Sequence, residues 1–324
     1  MTHNMLSFDD VLLTPRRSPI YSRKDIKLNT FVTKDIEIKF PIISANMPSV
    51  TGPVMAHNMW MLGGFSILPR FNTIKEAVAD WYDVYEKGGY AGVSLGVDSE
   101  ETGKRYEALY NAGARTFCID VAHGHHDRVI DMIKAVKGWY EDVEVIAGNV
   151  ATYPGCYDLA EAGADAIKVG IGPGAACSTR EVTGFGVPQL SAIDQAIWVK
   201  DSFPDVKIIA DGGIKNSGDI VKALAFGADS VMLGRLLAGA EEAPHPGEYF
   251  GNASAKIRDY RSPEGVEGQV PIEGSLEDIV KKLNWGIKSG LSYAGVFTIE
   301  ELHDLELEYS TVSPQTMTET RTRI

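Results

Sequence analysis

The sequence predicts a single α/β domain, a (β/α)8 barrel, from the number, composition and spacing of its apolar runs. Eight short apolar runs occur at residues 41–44, 64–68, 91–94, 116–119, 143–146, 166–169, 206–210 and 230–233. They lack the polar alternation of strands with one wet face, so we expect parallel strands buried on both faces. Segments of helical periodicity separate most of them, for example residues 74–85, 129–136 and 220–226. Eight such units in about 200 residues fit a closed barrel better than a doubly wound sheet.

Length, composition and charge limit the classes of partner. A chain of 324 residues with 44% hydrophobic content can build one large barrel with a buried core. Its formal net charge of −13 repels nucleic acid and anionic membranes, so we expect neither as a partner. A small ligand is favoured over a polymer. The first ten residues lack an apolar leader, and no run reaches the ~18 apolar residues of a membrane span, so we expect a cytoplasmic protein.

The three cysteines differ in their surroundings. Cys118, Cys156 and Cys177 lack Cys-x-x-Cys spacing, which disfavours a disulfide framework and a zinc site. Cys118 and Cys156 fit the usual fate of a free cysteine, a small buried hydrophobic side chain. Cys177 instead lies in a glycine-rich loop, residues 170–180, where Arg180 favours a thiolate and Thr179 can relay a proton. We therefore interpret Cys177 as a nucleophile. Whether the backbone carbonyls of this loop also hold a monovalent cation stays open.

Two irregular segments after predicted strands are candidates for the active site. The sixth and seventh runs are unusually far apart, so the insertion that contains Cys177 is predicted to be an active-site loop. Residues 241–274 follow the eighth run and are rich in glycine, proline and charge, which indicates a lid. We place the catalytic barrel, with this lid, at residues 1–309. The Thr-rich residues 310–324 are predicted to be a C-terminal tail that lies on a neighbour or stays mobile.

The seventh and eighth runs end in residues that suit a nucleotide monophosphate. Barrels commonly bind phosphate after these two strands, through backbone N–H groups. Here the runs end in Asp211-Gly212-Gly213 and Gly234-Arg235. Arg235 can pair with a phosphate dianion, and Asp211 can accept hydrogen bonds from ribose hydroxyls. Glycines that merely end strands are the alternative, but two such ends side by side favour a nucleotide monophosphate.

Two further groups admit a structural and a functional interpretation. Residues 120–126 contain Asp120, His123, His125 and His126, which could ligate zinc, yet a polar strand end is favoured because the first run ends without a histidine. Glu264, in the lid, is either a solvated carboxylate or an acid–base partner of Thr179.

The chain resembles the IMP dehydrogenase and GMP reductase family over nearly its whole length. The similarity lies in residues 8–13, 41–47, 147–150, 168–180, 186–190 and 211–213, and the cysteine loop is its most specific motif. The resemblance implies a (β/α)8 barrel, a homotetramer, and attack of the loop cysteine on C2 of a purine nucleotide to form a covalent thioimidate.

The resemblance also implies roles for individual residues. Cys177 would be the nucleophile, with Thr179 and Glu264 managing ammonia and its proton. The nucleotide would be surrounded by Asp211, Gly212, Gly213, Gly234, Arg235, Asn252, Ala253, Ser254, Arg261 and Gly265. The nicotinamide cofactor would contact Ser22, Arg23, Arg70, Phe71, Asp120, Val121, Ala122, Ile171, Gly172, Ser289, Gly290, Leu291 and Ser292, some of them across a subunit boundary. Gly172, Gly174 and Cys177 match a potassium loop.

Within the family the sequence favours a GMP reductase that uses NADPH. Dehydrogenases usually carry regulatory modules inserted early in the barrel, and the second and third runs are joined here by a helix-length segment only. Their long flap contains an Arg-Tyr pair that activates water, whereas the predicted lid is short and reads Arg-Asp-Tyr-Arg at residues 258–261. The alternatives are an IMP dehydrogenase without the regulatory insert and a nucleotide-binding protein without catalysis. Arg70 stands where many reductases have a lysine, which leaves fine substrate preference open.

Overall fold

Eight parallel strands close into a barrel, as predicted. The structure is a computed structural model that describes residues 5–252, 254, 256–257, 265–313 and 316. Neighbouring strands pair in chain order, and the eighth pairs with the first. The strands are β1 (Ile42–Ser44), β2 (Phe65–Leu68), β3 (Gly92–Leu95), β4 (Thr116–Asp120), β5 (Glu144–Val150), β6 (Ala166–Val169), β7 (Lys207–Asp211) and β8 (Ser230–Leu233).

Helices alternate with the strands and cover the barrel. They are α1 (Pro53–Leu62), α2 (Ile74–Tyr85), α3 (Ser99–Asn111), α4 (Asp127–Trp139), α5 (Tyr153–Glu161), α6 (Gln189–Ala196), α7 (Ser217–Ala225) and α8 (Leu276–Ala294). Short polar residues begin many of them. Thr73 and Glu76 form a reciprocal capping box at α2, and Asn216 and Ser275 accept backbone N–H bonds at α7 and α8. None of the helices within the described ranges is long and apolar enough to cross a membrane.

The core has two layers because each strand is apolar on both faces. Inside the barrel, Ile43, Phe65, Cys118, Ile146 and Ile209 pack with their neighbours into one cluster. Two larger clusters fill the space between the strands and the surrounding helices. Burial on both faces explains why the strands read as continuous apolar runs, without alternation.

Three small antiparallel pairs extend the barrel. Thr30–Phe31 pairs with Glu37–Ile38, and Glu248–Phe250 pairs with Glu267–Gln269 in the predicted lid. Val11–Leu13 pairs with Tyr309–Thr311, so the predicted boundary between barrel and tail at residue 310 divides a strand. Shorter helices lie at Thr179–Thr183, Arg235–Ala238 and Ile299–His303, and single turns of 3-10 helix at Phe8–Asp10, Arg23–Asp25 and Ile197–Asp201.

Candidate active site

A cavity of about 560 Å³ lies at the carboxyl ends of the barrel strands. It is lined by the chain that follows β1, β2, β4, β6, β7 and β8, together with Asn149 of β5. This is the face at which a barrel of this kind places its functional groups, because the loops of different strands converge there. Polar side chains that are far apart in sequence are thereby brought together.

The glycine-rich loop after β6 fits closely against the end of β7. Gly170 has φ +151°, and a Cβ atom there would overlap the backbone carbonyl oxygen of Asp211. Gln189, at the start of α6, is 1% exposed and donates from Nε2 to the carbonyl oxygens of Val169 (2.7 Å) and Asp211 (3.1 Å). This amide therefore joins the ends of β6 and β7, and only glycine fits at position 170.

Cys177 is the one cysteine of the three that is partly exposed, whereas the other two are buried. Its thiol lies 3.1 Å from Thr179 Oγ1, and its backbone N–H donates to the Gly174 carbonyl at 3.0 Å. Cys118 and Cys156 are buried, and burial raises the pKa of each thiol to about 12. Those two thiols stay protonated and inert. Cys177 instead faces the cavity, and the hydroxyl of Thr179 accepts a hydrogen bond from its thiol.

The predicted lid is joined to the cysteine loop. Gly265 forms an antiparallel bridge with Cys177, and the Val266 N–H donates to the Ala176 carbonyl at 3.0 Å. Residues 251–266 connect the two paired strands of the lid. The end of that connection, at Gly265 and Val266, thus lies directly against Cys177 and Ala176.

The glycines after β7 and β8 surround the other side of the cavity. Gly212 and Gly213 have φ of +97° and +82°, and a Cβ at Gly212 would lie 3.1 Å from the Gly174 nitrogen. A Cβ at Gly234 would lie 2.9 Å from the hydroxyl of Tyr249. Burial raises the pKa of Tyr249, so this phenol keeps its proton and can donate a hydrogen bond beside Gly234 and Arg235.

A buried polar network forms the floor of the cavity. Lys168 of β6 donates to Asp120 Oδ1 at 2.6 Å and lies 3.4 Å from Asp211 Oδ2. Asn149 also donates to Asp211 Oδ2, at 2.9 Å. Burial alone would raise the pKa of Asp120, but Lys168 outweighs it and holds that pKa below its ordinary value. Both carboxylates can therefore act as hydrogen-bond acceptors in the cavity.

Arg70 and Phe71 line the cavity near Asp120. The Arg70 guanidinium stacks 4.3 Å from the centroid of the Phe71 ring. Arg105 is 6% exposed and donates to the carbonyl (3.0 Å) and the side-chain oxygen (2.6 Å) of Asn72, which holds this loop in place. Burial, together with the charge of Arg70, lowers the pKa of Arg105 to about 10.

The histidine-rich segment serves local structure. His125 Nε2 pairs with Asp158 Oδ2 at 2.7 Å, and His126 Nδ1 accepts the Arg128 N–H at the start of α4. Among the described residues no three His, Cys, Asp or Glu side chains are grouped so that they could hold a metal ion.

Sequence comparison identifies the family. The profile of the "IMP dehydrogenase / GMP reductase domain" matches residues 5–323. The chain belongs to the IMP dehydrogenase and GMP reductase family. Enzymes of this family are oxidoreductases that act on purine nucleotide monophosphates with a nicotinamide cofactor.

Similar proteins carry both names of the family. The inosine-5'-monophosphate dehydrogenase of Borreliella burgdorferi is 35% identical over 380 aligned positions, which cover 93% of each chain. That of Aquifex aeolicus is 46% identical over 66% of this chain and 48% of its own. The GMP reductase of Leishmania donovani is 31% identical over 458 aligned positions, 92% of each chain. An alignment that long against 324 residues means that this reductase contains segments absent here. A missing insert therefore does not by itself separate the two branches of the family.

Not all the residues implied by the family resemblance lie in the cavity. Asn252 and Gly265 line it together with the glycines and Arg235, whereas Ser254 is fully buried outside it. Ala253, Arg261 and Glu264 lie outside the described residues. Ser22 caps the turn Arg23–Asp25, which packs against α8, and Leu291 of α8 is fully buried in the core. None of the residues Ser22, Arg23, Ser289, Gly290 and Ser292 lines the cavity, and they are grouped on the outer side of the barrel.

The sequence does not assign a role to several residues that line the cavity, and three of them make contacts that matter for its shape. Lys168, Gln189 and Tyr249 all line the cavity. Lys168 has the clearest signal, because a charged side chain inside an apolar run must find a partner when the run is buried. Gln189 and Tyr249 carry no such signal, since their partners lie on loops distant in sequence.

Proposed function

We propose that the protein reduces GMP to IMP and ammonia with NADPH, through a covalent bond between Cys177 and C2 of the purine. The observation that carries this proposal is the lid. Its two strands, Glu248–Phe250 and Glu267–Gln269, are joined by residues 251–266 only, and Gly265 is paired with the nucleophile. A short lid tied to Cys177 favours the exclusion of water, which would otherwise hydrolyse the covalent purine to XMP.

The proposed chemistry begins at Cys177. The Cys177 thiol gives its proton to Thr179 Oγ1, 3.1 Å away, while the hydroxyl proton of Thr179 passes on toward the leaving nitrogen, and the resulting thiolate attacks C2 of GMP. The bond between C2 and the exocyclic nitrogen then breaks, and this nitrogen leaves as ammonia with protons managed by Thr179 and Glu264. The chemistry that a reduced nicotinamide would contribute, when bound beside Arg70, Phe71 and Asp120, is a hydride for C2. When the bond between sulfur and C2 breaks, Cys177 regains its thiolate and IMP is released.

The nucleotide fits the side of the cavity below β7 and β8. Asp211 would accept hydrogen bonds from ribose hydroxyls, and its second carboxylate oxygen faces no donor among the described residues. Gly212, Gly213 and Gly234 leave backbone N–H groups open to a phosphate, with Arg235 and the protonated Tyr249 beside them. Among the described residues Asn252 and Gly265 complete this half of the site.

The cofactor fits the side of the cavity below β2 and β4. Arg70 and Phe71 offer a stacked, positively charged surface, Asp120 ends β4, and Val121 and Ala122 follow it directly. Ile171 and Gly172 lie between the two halves. Ser22, Arg23, Ser289, Gly290 and Ser292 would contact the cofactor of a neighbouring subunit, which suits a homotetramer in the cytoplasm, whereas Leu291 is buried in the core and would only support them.

A potassium ion is chemically compatible with the cysteine loop. The backbone carbonyls of Gly172, Gly174 and Cys177 are neutral oxygen ligands, which suit a monovalent cation better than a divalent one. The Gly174 carbonyl accepts the Cys177 N–H at 3.0 Å and retains a second lone pair. These three residues would hold the ion and stiffen the loop.

Oxidation of IMP to XMP with NAD is the second candidate function. It is favoured by the names of the relatives, since the dehydrogenases of Borreliella burgdorferi and Cryptosporidium parvum are each 35% identical over more than nine-tenths of this chain. It needs the same cysteine but requires a water molecule to hydrolyse the covalent purine.

A pair of assays on the purified protein tests the proposal. With GMP and NADPH we expect NADPH absorbance to fall and IMP to appear in equal amount. With IMP and NAD we expect no XMP. The reverse pattern would assign the protein to the dehydrogenase branch, and Cys177→Ala serves as the inactive control in both reactions.

A further inference from the structure

Lys168 is an unusual side chain for its position. It lies in the middle of the apolar strand β6, with a side chain that is only 2% exposed. A buried ammonium group is costly unless it is paired and hydrogen-bonded. The groups that contact the Lys168 ammonium therefore indicate what role this buried charge has.

Both partners of Lys168 are carboxylates, and they belong to different halves of the cavity. Asp120, at the end of β4, lies 2.6 Å from its ammonium nitrogen, and Asp211, at the end of β7, lies 3.4 Å away. The two side chains are 13% and 22% exposed, so neither is fully solvated. The Lys168 ammonium thus lies between Asp211, which is expected to bind the ribose, and Asp120, which lies beside the proposed cofactor surface of Arg70 and Phe71.

The contacts also fix which oxygen atoms remain for ligands. Asp211 Oδ2 is occupied by Lys168 and by Asn149 Nδ2, which leaves Oδ1 facing the cavity. Asp120 Oδ1 is occupied by Lys168, and Asn252 Nδ2 lies 3.4 Å from Oδ2. Asn252 lies near the start of residues 251–266, the connection between the two lid strands. The contacts from Asp211 to Lys168, Asp120 and Asn252 therefore link the end of β7 to the lid.

We propose that Lys168 is a positioning residue that holds the carboxylates of Asp120 and Asp211 in place through its short contacts with both, so that one side chain organises both the nucleotide half and the cofactor half of the site. This inference rests on the proposed assignment of the two halves, but not on the direction of the reaction. Lys168 acts through the two carboxylates and forms no bond to the reacting atoms.

The electrostatic surroundings define the effect of removing the charge. The ionisable groups around Asp120 are Lys168, Arg70, Asp211 and the buried thiol of Cys118. Without Lys168, Arg70 is the cation that remains near Asp120 among the described residues. The negative charge of Asp211, which shares Lys168 with Asp120, is then no longer balanced by the ammonium group between them. The pKa of Asp120 then rises, because burial and the second carboxylate both disfavour its charged form.

The test compares Lys168→Met with Lys137→Met. Lys137 forms an equally short ion pair, 2.7 Å from Asp165, but outside the cavity. Calorimetry with GMP, IMP and NADPH measures binding without turnover, so its outcome does not depend on the direction of the reaction. We expect Lys168→Met to weaken both nucleotide and NADPH binding by at least about tenfold, the effect of one charged hydrogen bond per ligand, and Lys137→Met to change neither.

The pH profile separates positioning from a purely structural effect. The profile is measured for the reaction that the protein catalyses, whether reduction of GMP or oxidation of IMP. In Lys168→Met the acid limb of kcat/KM should move to higher pH, and in Lys137→Met it should not move. An unshifted limb, or weakened binding of one ligand alone, would overturn the proposal.

If Lys168→Met does not fold, Lys168→Met/Asp120→Asn removes both charges of the short pair. Its nucleotide affinity should be lower than that of Asp120→Asn, because the effect of Lys168 on Asp211 persists. Equal affinities would overturn the proposal. If the protein without any substitution bound neither GMP nor IMP, the proposed function itself would be contradicted.

Discussion

Gly170→Ala is the substitution that most directly perturbs the position of Cys177. Residue 170 begins the cysteine loop at φ +151°, and its new Cβ would fall well within the 3.0 Å that real Cβ contacts respect, against the Asp211 carbonyl. That oxygen belongs to backbone that Gln189 also binds, so it cannot simply rotate away. The ends of β6 and β7 would have to separate.

The expected cost has two parts. A non-glycine residue at positive φ costs about 1–2 kcal/mol, and loss of the buried hydrogen bond from Gln189 costs about 1 to 3 kcal/mol. We therefore expect a destabilisation of about 3 kcal/mol, which lowers Tm by roughly 6 °C for a protein of this size. Since a displacement of about 1 Å at a catalytic group costs about a hundredfold, kcat/KM should fall by at least that factor.

Gly88→Ala is the matched control. Gly88 has φ +79°, but a Cβ there meets nothing within 4 Å. It should lose only about 1 kcal/mol and keep full activity. Thermal unfolding and steady-state kinetics measure both variants. If Gly170→Ala matched Gly88→Ala in Tm and in kcat/KM, the close contact between β6 and β7 would not be what places Cys177.

Three other perturbations give distinct outcomes. Cys177→Ala should abolish turnover while leaving nucleotide binding within about threefold, measured by calorimetry, because the thiol acts in bond formation. Gly234→Ala, whose Cβ would lie 2.9 Å from the Tyr249 hydroxyl, should raise the KM for the nucleotide about tenfold with little change for the cofactor. Burial lowers the pKa of His303, so stability should be lost as pH falls below about 6.5, where the unfolded state binds more protons; His303→Gln should reduce that loss in Tm between pH 7 and pH 5.

The barrel could be predicted from the sequence, because strands that are buried on both faces consist of continuous apolar residues. Each of the eight apolar runs coincides with a barrel strand, and the run at residues 143–146 continues to Val150 in the structure. The paired strands of the lid and the strand Tyr309–Thr311 were not predicted, because each has only three residues, and Glu267–Gln269 and Tyr309–Thr311 are also exposed and carry little apolar signal. Their pairing depends on partners distant in the chain.

Site residues could be predicted where the residue type itself indicates the chemistry. Residues whose role depends on contacts formed by folding were harder to predict. Cys177 and the glycines after β7 and β8 could be found from their motifs. Lys168 appeared as part of an apolar run, and its significance arises only when the barrel brings Asp120 and Asp211 to it. Gln189 likewise acquires its role from two backbone carbonyls that folding brings together.

The central claim is that a purine bound covalently to Cys177 receives a hydride and not water. The most direct measurement is acid quenching of the protein during turnover of GMP and NADPH, followed by peptide mass spectrometry and analysis of the released nucleotide. We predict a purine nucleotide attached to the peptide that contains Cys177, with IMP and ammonia as products. An unmodified Cys177 during turnover, or XMP as the released nucleotide, would contradict the account.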